Sequence, residues 1–227
     1  MAERVLLAFD TATPATVVGL AGGPLAEPVE LRDDPGAGQR PRHARQLLPL
    51  ARAALDRAGL GFGDVDRVAV GLGPGSFTGL RIGLATARAL TLGTGAELAG
   101  VSTLEALAQP AADATVAAVL DARRGEVFVA AWRRGERIVA PRVMAPGAVA
   151  QLAPVGWTAV GDGAVRYREQ LEAAGLTIPA DGSPRHRVGA AALLDLGACA
   201  TPLRRADALP DYLRRPDAEI SLRARTS

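Results

Sequence analysis

A chain of 227 residues has room for about one or two domains and for a core that needs neither a disulfide nor a metal staple. With 48% apolar, 22% charged and 4% aromatic residues it is neither a disordered tail nor a collagen-like repeat. Its 26 basic and 24 acidic residues leave a net charge of +2, too even for a dedicated nucleic-acid-binding surface.

Val5–Phe9 and Thr16–Ala21 are short apolar runs on either side of the turn-prone Thr13-Pro14 and predict a strand pair. Residues 33–42 (DDPGAGQRPR) predict an exposed loop. Leu47, Leu48, Ala51, Leu55 and Ala58 follow helical spacing, with Pro49 either kinking the preceding turn or starting the regular helix. Val65–Leu72 predicts a buried strand, residues 73–79 (GPGSFTG) a turn, and Phe77–Leu92 a helix. Leu98–Val101 predicts another strand, with Ser102 or Thr103 capping a helix toward Ala108. Strands are expected at Thr115–Leu120, Val127–Trp132, Ile138–Val143 and Trp157–Val160, with helices near Val149, Leu171 and Leu193. Hairpins mixed with βα units give α/β or α+β layers with a seam near residue 104, and no internal repeat is evident.

Glu3, Arg4 and Asp10 leave no room for a signal-peptide core, and prolines and glycines break the uncharged run Val143–Gly161. A soluble cytoplasmic protein is expected. The single cysteine, Cys199, lies between alanines and reads as a small buried thiol.

The segment 71–93 carries the most information. A strand runs into Gly71, Gly73 and Gly75, and a helix opens at Ser76 and Thr78. Free N–H groups there suit an anion, and the same residues equally describe a tight strand-to-helix turn with a serine cap. A Walker loop is excluded because the chain has no lysine. The dinucleotide pattern fails at Ser76, where it needs glycine, and the hydrolase elbow fails at Pro74. The following helix is apolar all round, with only Arg81, Thr86, Arg88 and Thr91 polar beyond its first turn. Gly79, Gly83 and Ala87, spaced by four, form a groove that another helix backbone can approach. Burial by a partner and full burial within one chain both satisfy this pattern. If the groove faces a partner, Gly83→Leu weakens association and leaves the monomer folded.

Catalytic chemistry is sparse. His43 and His186 belong to no paired-histidine metal motif. Asp10 with Thr11 and Thr13 resembles a nucleotide-phosphate hairpin, and equally a turn whose side chains bond nearby backbone. Asp121, Arg123, Arg124 and Glu126 read as a solvated hairpin tip rather than a polar cleft wall.

Residues 5–13 (VLLAFDTAT), 43–55 (HARQLLPLARAAL), 71–90 (GLGPGSFTGLRIGLATARAL), 100–108 (GVSTLEALA), 117–128 (AAVLDARRGEVF) and 210–215 (PDYLRR) together resemble the bacterial TsaB family, also called YeaZ. The resemblance spans nearly the whole chain, and GPGSFTGLRIG is its most specific part. It implies an α/β, actin/Hsp70/sugar-kinase-like (ASKHA) fold of two related βα subdomains, residues 1–104 and a reduced 105–227. It also implies a non-catalytic subunit for N6-threonylcarbamoyladenosine (t6A) formation at adenosine 37 of tRNAs reading codons that start with A. In that family the metal-binding paralogue TsaD performs the transfer, the ATPase TsaE joins the complex, and TsaC supplies the activated threonylcarbamoyl group.

Carried over by position, the partner-binding helices correspond to His43–Arg57 and Ser76–Leu92. The implied contact residues are His43, Leu47, Leu48, Ala51, Gly79, Arg81, Ile82, Gly83, Thr86, Ala87 and Leu90. A homodimer through the same helices is implied when TsaD is absent, with tRNA contact indirect or weak, no membrane, no metal and no cofactor. Asp10, Thr11, Thr13, Gly75, Ser76 and Thr78 remain weak candidates for an anion or nucleotide. Against them, the fold's usual Asp-x-Gly hairpin has Ala12 in place of glycine, which crowds a phosphate. The alternatives are an autonomous ATPase or phosphotransferase using Asp10 and the glycine loop, and a peptidase using Ser76 or Cys199 with a histidine.

Overall fold

The computed structural model describes residues 4–36, 38–111, 115–152 and 156–213. Arg214 and Arg215 of the PDYLRR segment and Pro154 of the uncharged run lie outside the described residues.

Leu6–Asp10 (β1) and Thr16–Ala21 (β2) form the expected antiparallel hairpin, with Phe9 opposite Val18. Val29–Asp33 (β3) adds antiparallel to β2, while Arg67–Gly73 (β4) and Glu97–Ser102 (β5) add parallel on the other side of β1. The order is β3-β2-β1-β4-β5. Parallel neighbours require crossovers, and His43–Arg57 (α1) and Phe77–Thr94 (α2) supply them. Both helices pack on one face, against Leu7, Phe9, Val18 and Val68. Leu6 and Ala8 point the other way into a second core. With both faces covered, β1 reads as an unbroken apolar run rather than an alternation.

Thr103–Ala108 (α3), opened by Ser102 accepting from the Glu105 N–H at 3.4 Å, leads to a second sheet. Thr115–Arg123 (β6), Glu126–Arg133 (β7), Glu136–Met144 (β8) and Thr158–Val160 (β9) lie in the order β8-β7-β6-β9, with β9 parallel to β6. This repeats the strand pattern of the first sheet without its fifth strand. The related α/β halves of the actin/Hsp70/sugar-kinase-like fold, the second reduced, are therefore present, and the internal repeat invisible in the sequence is visible in topology. Asp162–Arg166 (α4) and Arg168–Ala173 (α5) cover the outer face of the second sheet.

Ala190–Cys199 (α6) crosses back. With α3 it fills the space between the sheets, Leu104 and Leu193 joining Leu6, Ala8 and Ala69 from one side to Val116, Ala118 and Leu120 from the other. Residue 197 must be glycine, because a Cβ there would sit 2.5 Å from that of Ala69. Arg67 pins the end of α6: its Nη1 donates to the carbonyls of Gly197, Ala198 and Ala200, while Nε and Nη2 fork onto Glu97. The last helix and the chain after it thus pack on the first sheet, although they follow residue 104.

Several expectations need correction. β3 begins before the anticipated loop and was missed because Glu30 and Arg32 on this edge strand replace an apolar run. Pro49 lies inside α1 on its exposed side, six residues past its first residue, so it does not start the helix. The segment near Val149 forms only a 3-10 turn, Pro146–Gln151. Cys199 is exposed, because Gly197 takes the inward position at the end of α6. Among the described residues no helix is long and apolar enough to cross a membrane.

Candidate functional site

The glycine turn after β4 closes on its own chain. The Ser76 N–H donates to the Ala12 carbonyl at 2.7 Å, and Ser76 Oγ accepts from the Gly79 N–H at 3.3 Å. A Cβ on Gly75 would stand 2.4 Å from the Ala12 oxygen, so glycine serves this close approach. Of the two open readings, the geometry is that of a capped strand-to-helix turn.

Asp10 has no exposed surface. Its Oδ1 accepts from the Ala12 N–H at 2.8 Å and its Oδ2 from Thr103 Oγ1 at 2.7 Å, and burial pushes its pKa up. Thr11, also fully buried, donates its hydroxyl to the Gly79 carbonyl at 2.8 Å. Both side chains tie β1 to neighbouring helices and neither opens to solvent. Thr13, Gly75, Ser76 and Thr78 do line a cleft of about 460 Å³ between the two sheets. Its opposite wall carries Asp121, Arg123 and Asp162. The β6–β7 turn is therefore a cleft wall as well as a hairpin tip.

Asp121 is bridged to Arg123 at 3.3 Å and Arg166 at 3.7 Å. Asp162 accepts the Asp121 N–H at 3.0 Å, and burial raises its pKa. Asp211, at the mouth, is pushed up by partial desolvation.

Both histidines are structural. Nδ1 of the buried His43 lies 2.8 Å from Thr16 Oγ1, its Nε2 has no partner, and burial lowers its pKa. His186 Nδ1 accepts from the Gly161 N–H at 3.1 Å, which leaves the proton on Nε2 to donate to the Pro179 carbonyl at 3.1 Å. Among the described residues neither histidine bonds Ser76 or Cys199, and no cluster of three metal-ligating side chains occurs.

α2 has three distinct sides. Gly79, Leu80, Gly83, Leu84, Ala87 and Thr91 are buried. A Cβ on Gly79 would lie 1.9 Å from the Thr11 carbonyl oxygen, and one on Gly83 2.5 Å from Thr11 Oγ1. The glycine stripe is thus filled by Thr11 of the same chain and offers no groove to a partner. His43, Leu47 and Ala51 of α1 also face inward. Among the carried-over contact residues, Leu48 (49% exposed) and Arg81 face solvent, while Ile82, Thr86 and Leu90 are half-buried along the flank nearest α1.

The solvent side of α2 consists of Thr78, Arg81, Ala85, Ala89, Leu92 and Gly93, with Leu92 71% exposed. Ala85, Ala89 and Leu92 were missed in the sequence. Ala85, Ala89 and Gly93 repeat the spacing of four, a signal overshadowed by the glycines of the inner stripe. Leu48, Leu92, Leu209 and Tyr212, four of the five large apolar side chains exposed among the described residues, lie on or beside α1 and α2; the fifth, Ile138, is on the second sheet.

Residues 37–169 match the family described as TsaD: tRNA N6-adenosine threonylcarbamoyltransferase. An uncharacterised protein of Mycobacterium tuberculosis is 38% identical over 220 residues, which is 94% of this chain and 93% of that one. The Escherichia coli tRNA threonylcarbamoyladenosine biosynthesis protein TsaB is 37% identical over 137 residues, 58% of this chain and 56% of that protein. The solved structure of YeaZ from Pseudomonas aeruginosa superposes with a TM-score of 0.76 at 31% identity, covering 92% of this chain and 100% of that one. With sequence likeness to TsaB and a shared fold over nearly its full length with YeaZ, the chain belongs to the TsaB (YeaZ) family.

Proposed function

We propose that this chain is a TsaB-type subunit of t6A biosynthesis that performs no chemistry itself and activates a TsaD-like paralogue by docking onto it through α1 and α2. The observation that carries this reading is the exposed stripe of Ala85, Ala89 and Leu92 on α2, with Leu48 exposed on α1, over an interior where Asp10, Thr11 and His186 are held in structural bonds and His43 Nδ1 is paired with Thr16. An apolar helix face of this kind is stable in water only at a cost that a partner removes. The paralogue is the fitting partner because the region matching the TsaD family includes both helices, so a TsaD subunit carries a comparable helix pair to set against this one. The same argument gives a homodimer in its absence. A TsaE-like ATPase joins the pair, the reaction is cytoplasmic, and tRNA is held mainly by the paralogue.

The test is reconstitution with TsaD, TsaE and TsaC of the same organism. The t6A nucleoside forms when the chain is present, and Ala85→Arg removes both the pairing and the stimulation. Equal modification in the absence of the chain overturns the proposal. Titration of the isolated chain with Mg-ATP is expected to give no heat, because the glycine turn and Asp10 are closed on themselves; measurable binding there would favour the ATPase reading.

A further inference from the structure

We infer that the segment Leu203–Leu213 forms a third contact element of the docking face, with Leu209 and Tyr212 touching the paralogous subunit beside α2. The inference rests on the docking reading above and extends it to a part of the chain whose PDYL residues had no role.

The segment runs antiparallel along the flank of α2 opposite α1. Its anchors rise in number as those of α2 fall. The Leu203 N–H donates to the Leu98 carbonyl at 2.7 Å, Arg205 Nη1 to Thr91 at 3.3 Å, Arg88 Nη2 to Ala208 at 2.7 Å, and the Asp211 N–H to Leu72 at 2.7 Å. At the far end the Tyr212 ring lies 5.2 Å from that of Phe77, and Arg81, its guanidinium carbon 3.9 Å from the Phe77 centroid, donates Nε to the Tyr212 hydroxyl at 3.3 Å.

The backbone is thus fixed at several points, yet the side chains divide. Ala208 has no exposed surface, whereas Leu209 is 64% and Tyr212 40% exposed. A fixed segment presenting apolar groups to water is arranged for contact, not for its own stability. Tyr212 touches Phe77 and Arg81 of α2, and Arg88 of α2 holds Ala208, so the exposed Leu209 and Tyr212 extend the exposed side of α2 that carries Ala85 and Ala89. The occupant is the TsaD-like subunit, because these contacts make the segment continuous with the α1–α2 face already assigned to it.

Binding of purified TsaD to the full chain is measured by calorimetry for Leu209→Asp, Tyr212→Ala, Ala85→Arg and, as a control, Ile138→Asp. Leu209→Asp and Tyr212→Ala are expected to weaken binding at least ten-fold, with Ile138→Asp unchanged. Hydrogen exchange of residues 203–213 in the unmodified chain is expected to slow when TsaD is added, a readout that does not depend on how the variants fold. If Ala85→Arg abolishes binding while Leu209→Asp and Tyr212→Ala bind at full strength and exchange is unaltered, the third element is overturned and the helix docking stands. If Ala85→Arg also binds at full strength, the docking reading falls with it.

Discussion

Replacing Gly83 by alanine sets helix propensity against packing, and the structure says which prevails. In an exposed helix interior the change gains about 1 kcal/mol. Here the added methyl would lie 2.5 Å from Thr11 Oγ1, whereas even a close carbon–oxygen contact needs about 3.3 Å. Thr11 is β-branched and fully buried, so its side chain has little freedom to swing aside. Forcing the shift costs about 2 kcal/mol. Breaking the Thr11–Gly79 hydrogen bond in the interior costs about 1–2 kcal/mol more. The net loss is about 2–3 kcal/mol, which for a chain of this size lowers Tm by roughly 4–12 °C. Circular dichroism melts, with urea midpoints at constant m value, measure it. Gly93→Ala, in the same helix with nothing within 4 Å of the added carbon, is the companion and is expected to be neutral or stabilising by up to about 1 kcal/mol. A Gly83→Ala protein melting at or above the parent temperature would refute the packing argument. By the same reasoning Gly83→Leu breaks the monomer itself, contrary to the expectation from the sequence that it would act only on a partner.

Asp10→Asn keeps an oxygen for the Ala12 N–H and lets its amide donate to Thr103. Burial raises the Asp10 pKa above its ordinary 3.8, so the folded state holds that proton more tightly than the unfolded one, and the group's contribution to stability declines as pH rises through the raised value. The asparagine variant is therefore expected to be the more stable near neutrality, with the difference shrinking toward about pH 4; a difference in Tm that ignores pH would contradict this. Arg67→Ala, which frees the last carbonyls of α6 and leaves Glu97 without its fork, is expected to cost about 2–4 kcal/mol in urea unfolding. Arg67→Lys recovers only part of it, because a point charge cannot span both sets of acceptors. Ser76→Ala removes the cap of α2 and is expected to cost about 1 kcal/mol without altering TsaD binding, as seen by melting and calorimetry together.

The strands buried on both faces, β1, β4, β6 and β7, were legible as apolar runs, and the serine caps of α2 and α3 marked true helix starts. β3 and α4 were not, because an edge strand with alternating charges and a five-residue helix carry too little periodic signal. The apolar character of α2 was also readable. Its orientation was not: periodicity gives the angle between residues, not which stripe meets the helix's own sheet. Thr11, distant in sequence, fills the space beside Gly79 and Gly83 and leaves Ala85 and Ala89 outside. Residues 203–213 follow no period at all, since their bonds reach back more than a hundred positions to β4, α2 and β5.

The return of α6 to the first sheet governs how the molecule comes apart. A cut between α3 and β6 would not liberate a self-sufficient front half, because Leu6, Ala8 and Ala69 would lose the layer that shields them. The two lobes are accordingly expected to melt as one unit, and synthesis must pass residue 199 before α1 and α2 rest on a sheet covered on both faces.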